Sequence, residues 1–430
     1  MAVCLAKHGY EVTGIDPNTA LIQKLSRGEA PFYEPNLGEY VKSATETGKL
    51  RATPNYESNS KADLTYIAVG TPSREDGSID LGYVKEAAGM IGRSLRNASQ
   101  HQLVVVKSTV LPGTARSLVK PTIEKESGKI GGKDFSVCSN PEFLREGRAI
   151  HDTELPDRII IGSDQPSATE RLETIYRAFH GGNLPTVIKT SFENAELIKY
   201  ANNAFLATKV SFINSIAGIA ERVPNADVKS IAQGIGLDDR IGPKFLNAGL
   251  GWGGSCFPKD LAALLHFSQT AGSDPELIRA VIDTNRRQAE KATEFAKQAL
   301  GSFEGKRIAI LGLSFKPETD DLRDAVSIPI INSLLKNGAD VRAWDPRAMT
   351  EARRIFGDHI KYSADALDCL NQTDCCILVT EWPEFKNIRP ETFAGKMRQP
   401  IVIDGRRVYD PVEFRKAGIR LQAIGLGPEP

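Results

Sequence analysis

Two segments far apart in the chain repeat one short pattern, and this repeat constrains the fold more than any other feature. Gly9–Pro17 reads Gly-Tyr-Glu-Val-Thr-Gly-Ile-Asp-Pro, and Gly338–Pro346 reads Gly-Ala-Asp-Val-Arg-Ala-Trp-Asp-Pro. Each segment predicts the end of a helix, a β-strand, and an aspartate just past the strand. In a dinucleotide-binding fold, such an aspartate binds the adenosine ribose, although a turn before proline explains either residue equally well. The repeat therefore predicts two Rossmann-like units.

The wider hydrophobic pattern indicates an α/β fold with a helical centre. Short β-branched runs alternate with helical periodicity on both sides of residues 191–300, which predicts parallel sheets covered by helices. The central residues predict one long helix over Glu193–Val223 and a second over residues 274–300. We expect three domains, at 1–190, 191–300 and 301–430. The predicted strands are Glu11–Ile15, Leu64–Val69, Leu103–Val106, Phe135–Cys138, Arg158–Ile161, Arg307–Leu311, Val341–Trp344, Cys375–Val379 and Ile401–Ile403.

The first Rossmann-like unit lacks its leading strand. In the second unit a strand and a full helix precede Gly338, whereas only eight residues precede Gly9, which is room for about two helical turns. No GxGxxG motif occurs before Asp16. We therefore expect the strands at Glu11–Ile15 and Leu64–Val69 to lack their shared neighbour. We also expect Met1 to be an internal start, with about a dozen or more residues belonging upstream.

Composition narrows the class of protein. The 54 basic and 54 acidic side chains cancel, so the chain has no overall electrostatic attraction for nucleic acid or an anionic membrane. Its apolar runs are far shorter than the roughly 18 residues that span a bilayer, and no signal peptide is visible. The six cysteines form no CxxC pair, and the six histidines are scattered. These features predict a cytoplasmic location and no metal site.

The segment Gly249–Asp260 is the strongest candidate for catalysis. Its sequence, Gly-Leu-Gly-Trp-Gly-Gly-Ser-Cys-Phe-Pro-Lys-Asp, contains four glycines that let the backbone lie against a ligand. Cys256 falls near the predicted start of a helix with Lys259 close by, and both features favour a thiolate nucleophile. Asp260 lies four residues further on, near the same face as Cys256. A lone cysteine is usually a core residue, but this setting favours a nucleophile.

Two further groups of residues can complete a site. The string Asn140–Gly147 follows a predicted strand, where open α/β sheets place ligands, so Glu142 and Glu146 are candidates for a general base or a ribose ligand. The alternative is a solvated loop. Lys199 and Asn203 are spaced i, i+4 on the long helix and can together bind an oxyanion. The alternative for Lys199 is a surface cation.

Eight strings, in order, resemble the UDP-glucose 6-dehydrogenase family, within the wider UDP-glucose/GDP-mannose dehydrogenase group. The resemblance covers essentially the whole chain. The strings are Tyr33-Glu-Pro, Val69-Gly-Thr71-Pro, Lys107-Ser-Thr109-Val, Asn140–Gly147, Lys199-x-x-x-Asn203, Gly253-Gly-Ser-Cys256-Phe-Pro-Lys-Asp260, Phe315-Lys316-Pro-x-Thr319-Asp and Asp404-Gly-Arg406.

The resemblance implies an NAD-dependent, four-electron oxidation of UDP-glucose to UDP-glucuronate. Cys256 would form a thiohemiacetal and then a thioester, which splits one difficult oxidation into easier steps. Lys199 and Asn203 would stabilise the oxyanion, and Asp260 would position water or act as a base. Glu142 would activate the hydrolytic water, held by Thr109.

The resemblance also implies the binding residues. NAD contacts would come from Asp16, Thr71, Thr109, Glu146, Lys259 and Arg323. Sugar-nucleotide contacts would come from Glu142, Phe143, Leu144, Arg145, Lys199, Asn203, Arg240, Phe245, Leu246, Asn247, Ala248, Gly249, Gly253, Lys316 and Arg406, with Arg240 and Arg406 acting across a dimer interface.

The composition of the long helix indicates that the chain pairs with a second copy of itself. Glu193–Val223 is apolar around much of its circumference, and such a helix needs more than one packing partner. We therefore expect a homodimer or a higher homo-oligomer.

The sequence departs from the family at the cofactor site. The GxGxxG motif is missing, and Leu21 stands where the family often has a basic residue. Three alternatives stay open: a dehydrogenase of another sugar nucleotide (UDP-galactose, GDP-mannose or a UDP-N-acetylhexosamine), a single-step hydroxyacid dehydrogenase, and a non-catalytic sugar-nucleotide binder that has lost its cofactor loop. A mere binder has no use for Cys256, and a single-step enzyme does not need it.

Overall fold

Thirteen strands form three sheets in the computed structural model, which describes residues 1–429. In chain order the strands are β1 (Val12–Ile15), β2 (Leu50–Thr53), β3 (Leu64–Ile67), β4 (Gln102–Val106), β5 (Phe135–Ser139), β6 (Arg158–Gly162), β7 (Thr186–Thr190), β8 (Arg307–Leu311), β9 (Asp340–Trp344), β10 (Lys361–Tyr362), β11 (Cys375–Leu378), β12 (Ile401–Asp404) and β13 (Arg420–Ala423).

Eighteen α-helices in the same residues cover and connect the sheets. They are α1 (Ala2–Lys7), α2 (Thr19–Ser26), α3 (Leu37–Glu46), α4 (Gly82–Leu95), α5 (Lys120–Ser127), α6 (Ala149–Glu154), α7 (Pro166–Phe179), α8 (Phe192–Ala220), α9 (Val228–Gly236), α10 (Phe257–Thr270), α11 (Glu276–Gln288), α12 (Glu290–Leu300), α13 (Ser327–Lys336), α14 (Met349–Phe356), α15 (Ala366–Leu370), α16 (Pro383–Lys386), α17 (Pro390–Lys396) and α18 (Pro411–Lys416). A π-helical turn, Ala115–Val119, runs into α5. No helix within residues 1–429 is long and apolar enough to span a membrane.

The chain divides into two compact units. The first comprises Met1–Asn202 and Ala262–Gly272, and the second comprises Asn203–Leu261 and the chain from Ser273 onward. Helix α8 contributes residues to both units. The three-domain division stays a prediction.

The second unit contains a six-stranded parallel sheet. Its strand order is β10-β9-β8-β11-β12-β13. This is the doubly wound order of a dinucleotide-binding fold, with the first strand, β8, at the centre. All four residues of β11 are buried, as expected for a central strand of a parallel sheet covered on both faces. The predicted Rossmann-like unit at the end of the chain is confirmed.

The first unit has the same plan with a gap. Its strands form a β1–β2 pair and a separate sheet of order β3-β4-β5-β6-β7, and no strand in residues 1–429 joins β1 to β3. In β3 only Ile67 is fully buried, unlike the corresponding strand β11. The unpaired neighbours predicted from the missing first strand are therefore confirmed.

Three details differ from the prediction. Strand β6 meets β5 through one antiparallel pair, Ser139 with Gly162, so this sheet is mixed rather than wholly parallel. The single helix predicted over residues 274–300 is two helices, α11 and α12, that meet at Ala289. The break adjoins Gln288, whose buried side chain donates to the Gly249 carbonyl at 2.7 Å. The short strands β2, β7, β10 and β13 were not predicted.

The repeated aspartates have different roles. Asp345, after β9, is buried and accepts six hydrogen bonds, from Leu313 N, Ser314 N, Ser314 Oγ, Trp382 Nε1, Arg347 N and Ala348 N. It fixes the loop after β8 and has little capacity left for a ribose. Asp16, after β1, is half-buried, and its Oδ1 accepts from Asn18 N at 2.8 Å. Of the two aspartates, Asp16 is thus the candidate ribose ligand.

Candidate active site

In the first unit, the loop after β5 holds an ion pair with the long helix. Lys199 on α8 is buried, and its Nζ lies 3.0 Å from Oε1 of Glu142. The other carboxylate oxygen of Glu142 accepts from Leu144 N at 2.5 Å, which fixes its orientation. Sequence reasoning left a surface cation open for Lys199, and the structure excludes it. The pair places an ammonium donor beside a candidate base.

Asn140 anchors this loop to the sheet. Its Nδ2 donates to the Ile160 carbonyl at 2.7 Å, and its Oδ1 accepts from Lys107 Nζ at 2.9 Å and Tyr176 OH at 2.5 Å. Burial lowers the pKa of Lys107 to about 8, with Glu142 acting in the opposite direction. The sequence showed Lys107 and Asn140 only as parts of recognised strings, without a role. The structure shows that they orient the loop that carries Glu142.

In the second unit, polar contacts hold residues 249–255, which we call the glycine-rich strip, directly before Cys256. Gly249 N donates to Asn214 Oδ1 at 2.8 Å, Trp252 N donates to Asn285 Oδ1 at 2.8 Å, and Gly254 N donates to the Arg323 carbonyl at 2.9 Å. Side-chain atoms do not fit at two of the glycines. An added Cβ on Gly253 would lie 2.1 Å from the Asp324 carbonyl oxygen, and one on Gly254 would lie 2.6 Å from the Phe315 ring.

The strip delivers Cys256 to the start of α10, as predicted. Cys256 is half-buried, immediately before the helix, and its carbonyl accepts the first helical hydrogen bond from Asp260 N at 2.9 Å. Helix N-termini favour negative charge, so this position favours a thiolate. Ser255 Oγ lies 3.5 Å from the sulfur. The bond from Asp260 N also confirms that Asp260 is one helical turn from Cys256.

Asp260 is the centre of a buried polar cluster. Its side chain is 1% exposed. Asn203 Nδ2 donates to one carboxylate oxygen at 2.7 Å, and Lys259 Nζ donates to the other at 2.6 Å. A buried carboxylate is stable only where polar partners of this kind satisfy its oxygens. The structure thus brings together three residues predicted for the site, with Cys256 one turn away.

The remaining candidates for substrate binding lie in several places. Phe143 packs beneath the Arg158 guanidinium at 4.1 Å, and Arg145 forms an ion pair with Asp152 at 2.5 Å. In the second unit, Leu246, Ala248 and Gly249 are buried, Phe245 has a left-handed backbone (φ 65°), and Asn247 is exposed. Lys316 Nζ lies 5.5 Å from the centroid of the Phe315 ring.

The arginine candidates fall into two kinds. Arg406 donates to the Val379 and Gly251 carbonyls at 2.6 and 3.1 Å, so it contacts the glycine-rich strip of its own chain. Arg240 is 85% exposed and pairs with Asp238, and Arg323 is 68% exposed and pairs with Asp321. The structure therefore brings Arg406 to the strip and leaves the other two guanidinium groups at the surface.

Sequence reasoning missed Glu196. This residue is buried on α8, three positions before Lys199. The signal that could have revealed it is the spacing i, i+3, i+7 of Glu196, Lys199 and Asn203, which places all three on one helix face. No group of three or more His, Cys, Asp or Glu side chains in residues 1–429 could hold a metal ion.

A dinucleotide-binding architecture with a half-buried cysteine at the start of a helix is typical of cofactor-dependent dehydrogenases. It belongs, in particular, to the UDP-glucose/GDP-mannose dehydrogenase family. The family's NAD binding domain matches residues 1–180, its central domain matches residues 193–287, and its UDP binding domain matches residues 309–411.

Two relatives and one solved structure are similar to this chain over nearly its whole length. A UDP-glucose 6-dehydrogenase of Bacillus subtilis is 44% identical over 98% of this chain and 89% of its own length. A UDP-glucose 6-dehydrogenase of Haloferax volcanii is 43% identical over 99% of this chain and 96% of its own length. The structure of a UDP-glucose dehydrogenase from Pyrobaculum islandicum matches with a TM-score of 0.91 at 38% identity, covering 99% of this chain and 94% of that one.

The first unit has residues suited to the adenosine ribose of NAD. Asp16 follows β1 where a dinucleotide fold places its ribose carboxylate, Thr71 is buried after β3, and Thr109 follows β4. Glu146 is half-buried in the loop after β5. The glycine-rich turn that binds the pyrophosphate in such folds has no counterpart in the sequence.

Proposed function

We propose that the chain oxidises the C6 hydroxymethyl group of UDP-glucose to the carboxylate of UDP-glucuronate. The observation that carries this proposal is Cys256 at the start of α10, one turn before a buried Asp260 held by Asn203 and Lys259. A single-step dehydrogenase or a binding protein needs no such nucleophile. The proposed domains are 1–190 for NAD, 191–300 for catalysis and dimerisation, and 301–430 for the UDP-sugar.

The first oxidation converts the alcohol to an aldehyde. The C6 hydroxyl loses its proton to a base, and the carbon loses a hydride. NAD, when bound, supplies the hydride acceptor at both oxidations. Asp260 accepts the proton directly or through a water molecule, because its carboxylate is oriented by two donors. Lys199 and Asn203 stabilise the alkoxide that forms.

The second oxidation takes place on the cysteine. The Cys256 thiolate adds to the aldehyde carbon, and the oxygen takes up a proton to give a thiohemiacetal. Loss of that proton and of a second hydride gives the thioester. The aldehyde therefore stays covalently bound between the two oxidations.

Hydrolysis then releases the acid. Glu142 takes a proton from a water molecule, whose oxygen attacks the thioester carbon, and the C–S bond breaks to return the thiolate. The Lys199 ammonium beside Glu142 stabilises the negative charge on the tetrahedral intermediate. Thr109 holds the water. One alcohol and one water thus give one carboxylate and two reduced cofactors.

Substrate identity is tested with a panel of sugar nucleotides. The protein is incubated with NAD and UDP-glucose, UDP-galactose, GDP-mannose or a UDP-N-acetylhexosamine, and each product is identified by mass. We expect acid only from UDP-glucose.

The Cys256→Ser variant should lose acid formation by orders of magnitude because a hydroxyl is a poor nucleophile near neutral pH. Its affinity for UDP-glucose, measured by calorimetry, should be retained. Full acid formation by this variant would refute the thioester route.

We also propose that the chain forms a homodimer through α8. Three large apolar side chains, at seven-residue spacing, form a stripe on the surface of this helix: Phe205 is 66% exposed, Phe212 is 52% exposed and Ile219 is 61% exposed. A seven-residue apolar repeat is the pattern by which two helices pack along their length.

The six cysteines form no disulfide, which suits the proposed cytoplasmic location.

A further inference from the structure

The proposed reaction assigns no role to the buried carboxylate of Glu196. Its side chain lies in the first unit, on the same helix as Lys199, and the residue is 3% exposed. An ionised carboxylate is expensive to bury, so it is expected only where several donors stabilise it.

Glu196 receives three hydrogen bonds from two segments remote in sequence. One oxygen accepts from Gly113 N at 2.6 Å, and the other accepts from Ala115 N at 3.0 Å and Ser139 Oγ at 2.8 Å. Gly113 lies in the loop after β4 that carries Thr109 (residues 107–114, the Thr109 loop), and Ala115 begins the π-helical turn that follows it. Ser139 ends β5, directly before the loop that carries Glu142. One side chain therefore fastens both loops to the helix that carries Lys199.

We propose that Glu196 is a positioning residue for the oxidation, holding the Thr109 loop and the Glu142 loop in register with Lys199. The inference rests on the proposed function. A displacement of about 1 Å in a catalytic group can cost about 100-fold in rate, so a single anchor shared by both loops has a large effect on turnover.

The anchor is sensitive to pH. Burial raises the pKa of Glu196 to about 7, with Glu193 on the same helix also raising it and the three donors lowering it. Arg116, from the π-helical turn, faces both carboxylates and forms its ion pair with Glu193. Only the ionised form can accept all three bonds without repelling a donor, because a protonated oxygen becomes a donor itself. Turnover should therefore fall as the pH drops through about 7.

The test compares Glu196→Gln with Glu193→Gln, a matched change one turn earlier at a half-exposed ion pair. For Glu196→Gln we expect kcat to fall about 100-fold with the KM for UDP-glucose within about threefold, and the acid limb of the kcat profile near pH 7 to disappear. Glu193→Gln should retain the wild-type rate at pH 8 and still show an acid limb, which should move to lower pH because Glu193 no longer raises the pKa of Glu196.

A second variant guards against misfolding. Ser139→Ala removes one donor to the carboxylate, which raises its pKa, so the acid limb should move to higher pH with the fold intact. Unchanged kcat and an unchanged limb in Glu196→Gln, or an unmoved limb in Ser139→Ala, would overturn the proposal.

Hydrogen exchange separates this inference from the proposed function. Amides in residues 110–116 should be protected in the wild-type protein and in Glu193→Gln, and should lose protection at least about tenfold in Glu196→Gln. A wild-type protein that oxidises no sugar nucleotide would refute the proposed function alone. Unchanged protection in Glu196→Gln would refute the anchor whatever the activity.

Discussion

Replacing Gly253 with alanine tests whether the glycine-rich strip positions Cys256 through close backbone contact. A Cβ at this position would lie 2.1 Å from the Asp324 carbonyl oxygen and 3.0 Å from the carbonyl carbon. An ordinary contact is about 3.5 Å, so one backbone must move by about 1.4 Å. The opposing atoms belong to a main chain held nearby by the bond from Gly254 N to the Arg323 carbonyl, at 2.9 Å. We therefore expect the strip to move, and Cys256, which follows Gly253 by three residues, to move with it.

The magnitude follows from that displacement. We expect kcat/KM to fall about 100-fold, because a shift of about 1 Å misaligns the nucleophile. Overpacking should lower the free energy of unfolding by about 1–3 kcal/mol. NADH formation with UDP-glucose measures the rate, and urea unfolding measures the stability.

Gly234 in α9 provides the matched control. An added Cβ there meets no atom within 4 Å. Gly234→Ala should therefore keep full activity and raise stability by about 0.5–1 kcal/mol, because alanine is the better helix former. A Gly253→Ala protein with activity within about twofold of wild type would refute the argument from close packing.

Three further outcomes follow from the buried and exposed side chains. The folded-state pKa of Glu196, about 7, exceeds its ordinary value of 4.5, so the free energy of unfolding should fall as pH rises between these values. The fall is roughly 3 kcal/mol, and Glu196→Gln should remove it in urea titrations at pH 5 and pH 8. Phe212→Asp, in the exposed stripe of α8, should give a monomer by sedimentation at micromolar concentration, and a persistent dimer would contradict the proposed interface. Lys259→Met, which leaves the Asp260 carboxylate without its ammonium partner, should destabilise the protein by roughly 3 kcal/mol, and adding Asp260→Asn should recover most of that loss in thermal melts.

Local patterns predicted the regular parts of the fold. Continuous apolar runs such as Cys375–Leu378 are buried central strands, and the stretch free of proline before Val223 is one long helix, α8. The Gly-rich strip with Cys256 ahead of a helix was equally visible, because glycine spacing and helix starts are local properties. The gap between β1 and β3 followed from comparing the two halves of the chain.

Contacts remote in sequence set the features that sequence reasoning missed. The direction of β6 depends on how the loop after β5 returns to the sheet, which no hydrophobic pattern records. The break between α11 and α12 coincides with a bond from Gln288 to the strip. Glu196 acts on Gly113, 83 positions away, so its role appears only when the helix and the loop are seen together. Short or half-exposed strands such as β2 and β7 carry too weak an apolar signal.

The most direct test of the account is the mass of Cys256 during turnover. The Glu142→Gln protein is mixed with UDP-glucose and saturating NAD, quenched in acid, and digested for mass spectrometry. Because this variant lacks the base for hydrolysis, the acyl-enzyme should accumulate, with a UDP-glucuronyl group on Cys256 and two NADH formed for each adduct. An unmodified Cys256 with one NADH formed per sugar and free aldehyde in solution would contradict covalent catalysis.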